Sequence, residues 1–156
     1  MSLGRIMFKP KPEIIELELS NDYKFMYENF LISTQHDSYL LLEEKDGIIH
    51  ALKFQGSTIR YGSPNDEGRG AHPLAKYGSL LYGLYEVKNS PWIEEQMVGN
   101  RSHPCHSDDM FKNKKHYIVC FKDVMFEATC RDYSLEKMSK EDVLALVTQE
   151  LDDLGE

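Results

Sequence analysis

Two runs rich in strand formers, Ser38 to Glu44 and Ile48 to Phe54, are separated by Lys45-Asp46-Gly47. Asp-Gly tolerates the positive φ angles of a tight hairpin turn, so this stretch commits the chain to antiparallel pairing. In the second arm Ile48, His50, Leu52 and Phe54 share one face, and Ile49, Ala51 and Lys53 share the other. A histidine alternating with apolar residues reads as a sheet-face or core residue, so His50 is not taken as a ligand. A second hairpin is expected from Lys115 to Phe121 and Val124 to Thr129 across Lys122-Asp123. Shorter strands are expected at Glu13 to Leu19, Ser57 to Tyr61 and Leu80 to Val87. Tyr23 to Ile32 is aromatic and ambiguous in period, and is read as extended.

Helices are fewer. Ser90 can cap a short helix over Pro91 to Val98, with Pro91 at its first position, Glu94 and Glu95 near its positive end and Gly99 closing it. Ser107 can cap a further turn through Phe111. Ser139 to Leu154 reads as a full helix: Ser139 and Asp142 resemble a capping box, Val143, Val147, Leu151 and Leu154 form an apolar stripe, and Gly155 ends it. The fold class expected is α+β. A mainly antiparallel, curled sheet of six to eight strands, as a half-barrel or sandwich, would carry short helices, and the C-terminal helix would pack its Val143/Val147/Leu151 stripe on an edge or open face. Residues 1–156 fit a single domain, with 1–12 irregular because Pro10 and Pro12 interrupt them.

Charge and cysteine usage narrow the function classes. The formal net charge is −8, from 18 basic and 26 acidic residues. A nucleic-acid binder needs a basic stripe to displace counterions, and only Lys112, Lys114 and Lys115 cluster, beside Asp108 and Asp109. No nucleic-acid partner is expected. Cys105, Cys120 and Cys130 are an odd number without a CxxC pair, which fits reduced thiols better than a disulfide framework. The first residues lack a signal-like apolar run, and no stretch approaches the ~20 apolar residues of a membrane span. A cytoplasmic protein without a membrane partner is therefore expected.

Two loops carry more chemistry than connection requires. Residues 60–73 hold Arg60, Asn65, Asp66, Glu67, Arg69 and His72, with Gly62, Gly68 and Gly70 among them. In a shared pocket, Asp66 or Glu67 could orient His72 as a general base while Arg60 or Arg69 held an anionic group. The simpler reading is a solvated loop that satisfies its own backbone. Neither GxxxxGK[ST] nor GxGxxG occurs. Residues 89–106 hold Asn89, Trp92, His103, Cys105 and His106. Trp92 is the sole tryptophan and suits core or lid packing. His103, Cys105 and His106 are zinc-ligand types, which His72 or Asp66 could complete, but their spacing matches no established zinc motif. His103 and His106 are thus weak metal candidates, and no cofactor is expected. Cys120 reads as a small buried hydrophobe, and His36-Asp37 as a turn or a general-base pair. His116 carries no special signal.

The runs Arg60-Tyr-Gly-Ser-Pro-Asn-Asp-Glu, His72-Pro-Leu, Tyr82-Gly-Leu-Tyr-Glu-Val-Lys-Asn-Ser-Pro-Trp-Ile and His103-Pro-Cys-His106 resemble a family of uncharacterised bacterial proteins. The hairpin from His116 to Glu127 fits the same pattern, so the likeness spans roughly residues 57–130. The resemblance implies kinship and assigns no activity. The family tends to carry a basic residue where this chain has Cys105, which weighs against Cys105 as an essential ligand or nucleophile.

Three functional readings follow. The first is a binding module that recognises a small polar ligand or a protein through residues 60–73 and 89–106, with Arg60, Asn65, Arg69, Asn89, Trp92 and His106 as contacts. The alternative is a small enzyme with His72, His103, Asp66 and Glu67 as catalytic candidates. A third is an acidic protein that neutralises a basic partner. Oligomeric state is not legible in the sequence.

Overall fold

The structure, a computed structural model, describes residues 9–20, 22–26 and 28–155. Most of the irregular start expected at 1–12 lies outside the described residues, and 9–12 form no regular structure. Among the described residues the chain forms β1 (Glu13–Leu17), β2 (Phe30–Ser33), β3 (Asp37–Lys45), β4 (Ile48–Gln55), β5 (Thr58–Gly62), β6 (Gly83–Lys88), α1 (Pro91–Asn100), β7 (Lys115–Cys120), β8 (Met125–Cys130), β9 (Tyr133–Ser139) and α2 (Lys140–Leu154). All strand pairs are antiparallel. One sheet has the order β1-β6-β7-β8-β5 and the other β2-β3-β4-β9.

Both hairpins form where turn chemistry places them. Asp46 and Gly47 take φ values of 53° and 76°, the left-handed conformation that the β3–β4 turn requires. A bulge between Leu41 and Glu43 breaks alternation in β3, so Leu40, Leu41 and Leu42 are all buried. The two sheets pack face to face through Leu40, Leu42, Leu52, Phe54, Leu84, Tyr117, Val119, Phe126 and Ala128. This is the sandwich form of the α+β fold. It has nine strands rather than six to eight, because β2 and β9 are separate strands and β9 had no clear sequence signal. Of Tyr23 to Ile32, the described residues are strand only from Phe30. No helix among the described residues is long and apolar enough to cross a membrane.

A third layer covers the outer face of the five-stranded sheet. Cross-strand partners share a face, so Val87, His116 and Thr129 form one row on that side. Tyr85, Ile118, Glu127 and Arg60 form the next. Half of this face is apolar: Tyr85, Val87, Ile118, Cys120 and Met125 pack under Leu74 and Leu80. The loop that brings Leu74 is ordered by 3-10 turns at Arg69–Ala71 and Ala75–Tyr77. The other half is polar and is covered by α1 and His72.

Helix α1 starts as capping chemistry dictates, with Ser90 Oγ accepting from Ile93 N–H at 3.2 Å. It runs past Gly99, which is inside the helix rather than its stop, and ends at Arg101. Ser107 likewise caps the turn Asp108–Phe111. The capping box of α2 forms between Ser139 and Asp142, and Gly155 caps its end. Its apolar stripe does not pack as expected. The helix leaves directly from β9, the edge of the four-stranded sheet, so no residue of it is buried.

Candidate functional site

The polar half of the outer face centres on Glu127 of β8. Alternation in Met125-Phe-Glu-Ala-Thr sends Phe126 and Ala128 into the sandwich and turns Glu127 outward under the third layer. Its side chain is 8 % exposed. His116 Nε2 meets Glu127 Oε1 at 2.9 Å, and His72 Nε2 meets Glu127 Oε2 at 3.2 Å. One carboxylate thus joins a strand histidine to a loop histidine.

The remaining imidazole nitrogens fix the proton positions. His72 Nδ1 accepts from Leu74 N–H at 3.1 Å. Ser90 Oγ accepts from Ile93 N–H at 3.2 Å and lies 2.7 Å from His116 Nδ1, to which it donates its own proton when the ring is neutral. The bond from Leu74 N–H makes His72 an Nε2–H donor to an ionised Glu127, and a neutral His116 bonded by Ser90 takes the same tautomer. Burial opposes that charge, but the hydrogen bonds from His116 and His72 outweigh it and hold Glu127 down to about 2. Neither ring keeps a free lone pair for a general base.

Trp92 roofs the network, its indole edge-on to His116 with centroids 5.2 Å apart. Above it, the Arg60 guanidinium carbon is 4.1 Å from the Trp92 ring centroid. This is cation–π stacking. No acidic group among the described residues lies within ion-pair distance of Arg60, and the side chain is exposed. Beside the network Thr129 Oγ1 donates to Gln96 Oε1 at 3.0 Å, and buried Gln96 Nε2 has no partner among the described residues.

Arg60, His72 and Trp92 are the sequence-derived candidates that come together. The rest lie outside this group. Asn65 Oδ1 accepts from Gly68 N–H at 3.0 Å and shapes its own loop. Asp66 accepts from Tyr82 Oη at 2.5 Å, a bond that pulls its carboxyl below the ordinary range, and Glu67 is exposed. Neither orients His72, because Glu127 holds that position. Arg69 is 3 % exposed and donates to the carbonyls of Phe121 and Val124, so it staples the loop to the β7–β8 turn instead of facing a ligand. Asn89 takes a φ of 54° where β6 turns into α1, and its amide donates to Lys11 O at 3.2 Å.

His103 and His106 lie beyond the far end of α1. His103 Nδ1 accepts from Cys105 N–H, while His106 bonds Asn100 at 2.9 Å and Asp108 at 2.6 Å. Among the described residues no group of three or more His, Cys, Asp or Glu side chains is placed to hold a metal. Cys120 is buried, and burial pushes its thiol up to about 12. His50 is the satisfied sheet histidine its alternation suggested, bonded to Tyr23 Oη at 2.9 Å. Thr34 Oγ1 accepts from the N–H groups of His36 and Asp37 at 3.1 Å, so His36 lies in the β2–β3 bend and Asp37 opens β3.

Sequence reasoning passed over His116 and Glu127. Their signal was a charged residue and an imidazole on the same alternating face of the hairpin expected at 115–129. Grooves of about 840, 710, 690 and 210 Å³ indent the surface, and none of these four is lined by Arg60, His72, Trp92, His116 or Glu127. The chain matches no family model, no curated protein and no solved structure.

Proposed function

We propose that the protein is a binding module for a partner protein, recognised through an acidic group of the partner that docks on Arg60. The observation that carries this reading is the stacked guanidinium. Trp92 holds Arg60 flat, the His116–Glu127–His72 network holds Trp92, and the guanidinium has no acidic partner among the described residues. Its rigid fork of donors is thereby prepared for a carboxylate, with less freedom to lose on binding.

Two further features favour a protein over an enclosed small molecule. Small-molecule sites are concave, whereas Arg60 sits on an open face. Among the described residues β5 is also the edge strand of its sheet and pairs with β8 alone, so an extended segment could add alongside it. Arg and Trp are the residue types most often found at interaction hot spots. Catalysis by His72 is disfavoured because both of its nitrogens are engaged.

Selection of extended peptides from a displayed library tests the reading. The expected binders carry an aspartate, glutamate or C-terminal carboxylate and shift the amide resonances of 58–62 and the Trp92 indole. Arg60→Ala should weaken them by roughly 10- to 100-fold, the range for a lost charged hydrogen bond. Binders that map elsewhere, or that keep full affinity for Arg60→Ala, would end this proposal.

A further inference from the structure

Two surfaces of this chain lack partners among the described residues, and their chemistry matches. The first is α2. Leu144, Val147, Leu151 and Leu154 follow the three-four-three spacing that lines one side of a helix, and they are 64 %, 37 %, 62 % and 82 % exposed. Glu141, Asp142, Glu150, Asp152 and Asp153 surround this stripe, against the single cation Lys140.

The second is the groove of about 690 Å³ between α1, β6 and the segment 108–115. Val87, Met97 and Phe111 supply apolar lining, and Lys112, Lys114 and Arg131 supply charge. The acids of this groove are already neutralised: Glu86 by Lys88 at 2.6 Å, Glu94 by Lys9, and Asp108 by Arg101 at 3.0 Å. Lys112, Lys114 and Arg131 have no such ion pair among the described residues, and Lys114 rests over the Phe111 ring. A cationic, partly apolar groove on a chain of net charge −8 is set against an anionic helix with an apolar stripe.

We propose that the protein is a homodimer in which α2 of each copy lies in this groove of the other. The leucines would cover the groove lining, and Glu150, Asp152 and Asp153 would meet Lys112, Lys114 and Arg131. Two reciprocal seatings related by a twofold axis close the assembly, where a single head-to-tail contact would leave an open filament. Repulsion between two acidic copies is screened beyond roughly 8 Å at physiological salt, so the local cation–carboxylate contacts decide. The dimer surface is separate from Arg60 and does not depend on its role.

Sedimentation equilibrium on the full chain at low salt tests this. Wild type should be a dimer, and Leu151→Asp with Leu154→Asp a monomer of unchanged circular dichroism, since both side chains are exposed. The decisive arm uses charge reversal. Asp152→Lys with Asp153→Lys in one variant, and Lys112→Glu with Lys114→Glu in another, should each weaken self-association by at least roughly tenfold, because unlike charges become like. An equimolar mixture should then form a heterodimer, since the reversed helix meets the reversed groove and the native helix the native one. A wild type that stays monomeric at high micromolar concentration, a ladder of higher oligomers, or a dimer indifferent to these changes would each overturn the proposal.

Discussion

Glu127→Gln isolates the network at the centre of the outer face. In the folded protein the Glu127 carboxyl lies at about 2 against an ordinary 4.5; burial pushes it up, and the bonds from His116 and His72 pull it further down. At 1.36 kcal/mol per pH unit this fall corresponds to roughly 3 kcal/mol of stability at neutral pH. Glutamine keeps the shape but replaces one acceptor by a donor, which then faces the Nε2–H of one histidine. Relieving that contact by a tautomer change would break the bond to Leu74 N–H or Ser90 Oγ instead. The expected cost is on the order of 2–3 kcal/mol, a loss of about 5–10 °C in Tm for a chain of this size. A carboxyl lowered on folding contributes fully above its unfolded value, and that contribution fades as pH falls from about 4.5 towards 2. Urea unfolding followed by Trp92 fluorescence should therefore show the full gap between wild type and variant at neutral pH, and a smaller gap near ~pH 3. A gap below about 0.5 kcal/mol at neutral pH, or one that persists unchanged in acid, would refute the network as drawn.

Other outcomes follow from single residues. Ser90→Ala removes both the cap of α1 and the bond to His116 Nδ1, and should cost about 1–2 kcal/mol in denaturant titration. Gly47→Ala meets no atom within 4 Å but must hold a φ of 76°, so it should destabilise by about 1 kcal/mol through the backbone alone. In the native protein a thiol reagent should modify Cys105 rapidly and spare Cys120 and Cys130, which are buried and pushed up to about 12; all three should react in urea. Leu52→Ala, in the sandwich interior, should cost 2–5 kcal/mol by the general range for such cavities.

Much of the fold was legible because local chemistry and tertiary structure agree. Asp46-Gly47 and Lys122-Asp123 mark hairpins, and Ser90, Ser107 and Ser139 mark helix starts that form with the expected side-chain caps. β9 was missed because Tyr133-Ser-Leu-Glu-Lys-Met-Ser has few strand formers, and its strand depends on pairing with β4. The stripe of α2 was read correctly as apolar, but periodicity cannot say what a stripe packs against. The site was half legible. Arg60, His72 and Trp92 stood out by type in polar loops, whereas Asp66 and Glu67 were favoured over Glu127 because they are near His72 in sequence. The sheet brings residue 127 to residue 72 across 55 positions, a meeting that depends on strand order and register.

With both imidazoles spent on Glu127, the outer face holds Arg60 and Trp92 for recognition and offers no base. Long-range ¹H–¹⁵N correlation of the imidazole rings at neutral pH reads this directly. His72 and His116 should both appear as Nε2–H tautomers with slowly exchanging protons. A proton on Nδ1 of either ring, or rapid exchange at Nε2, would contradict it.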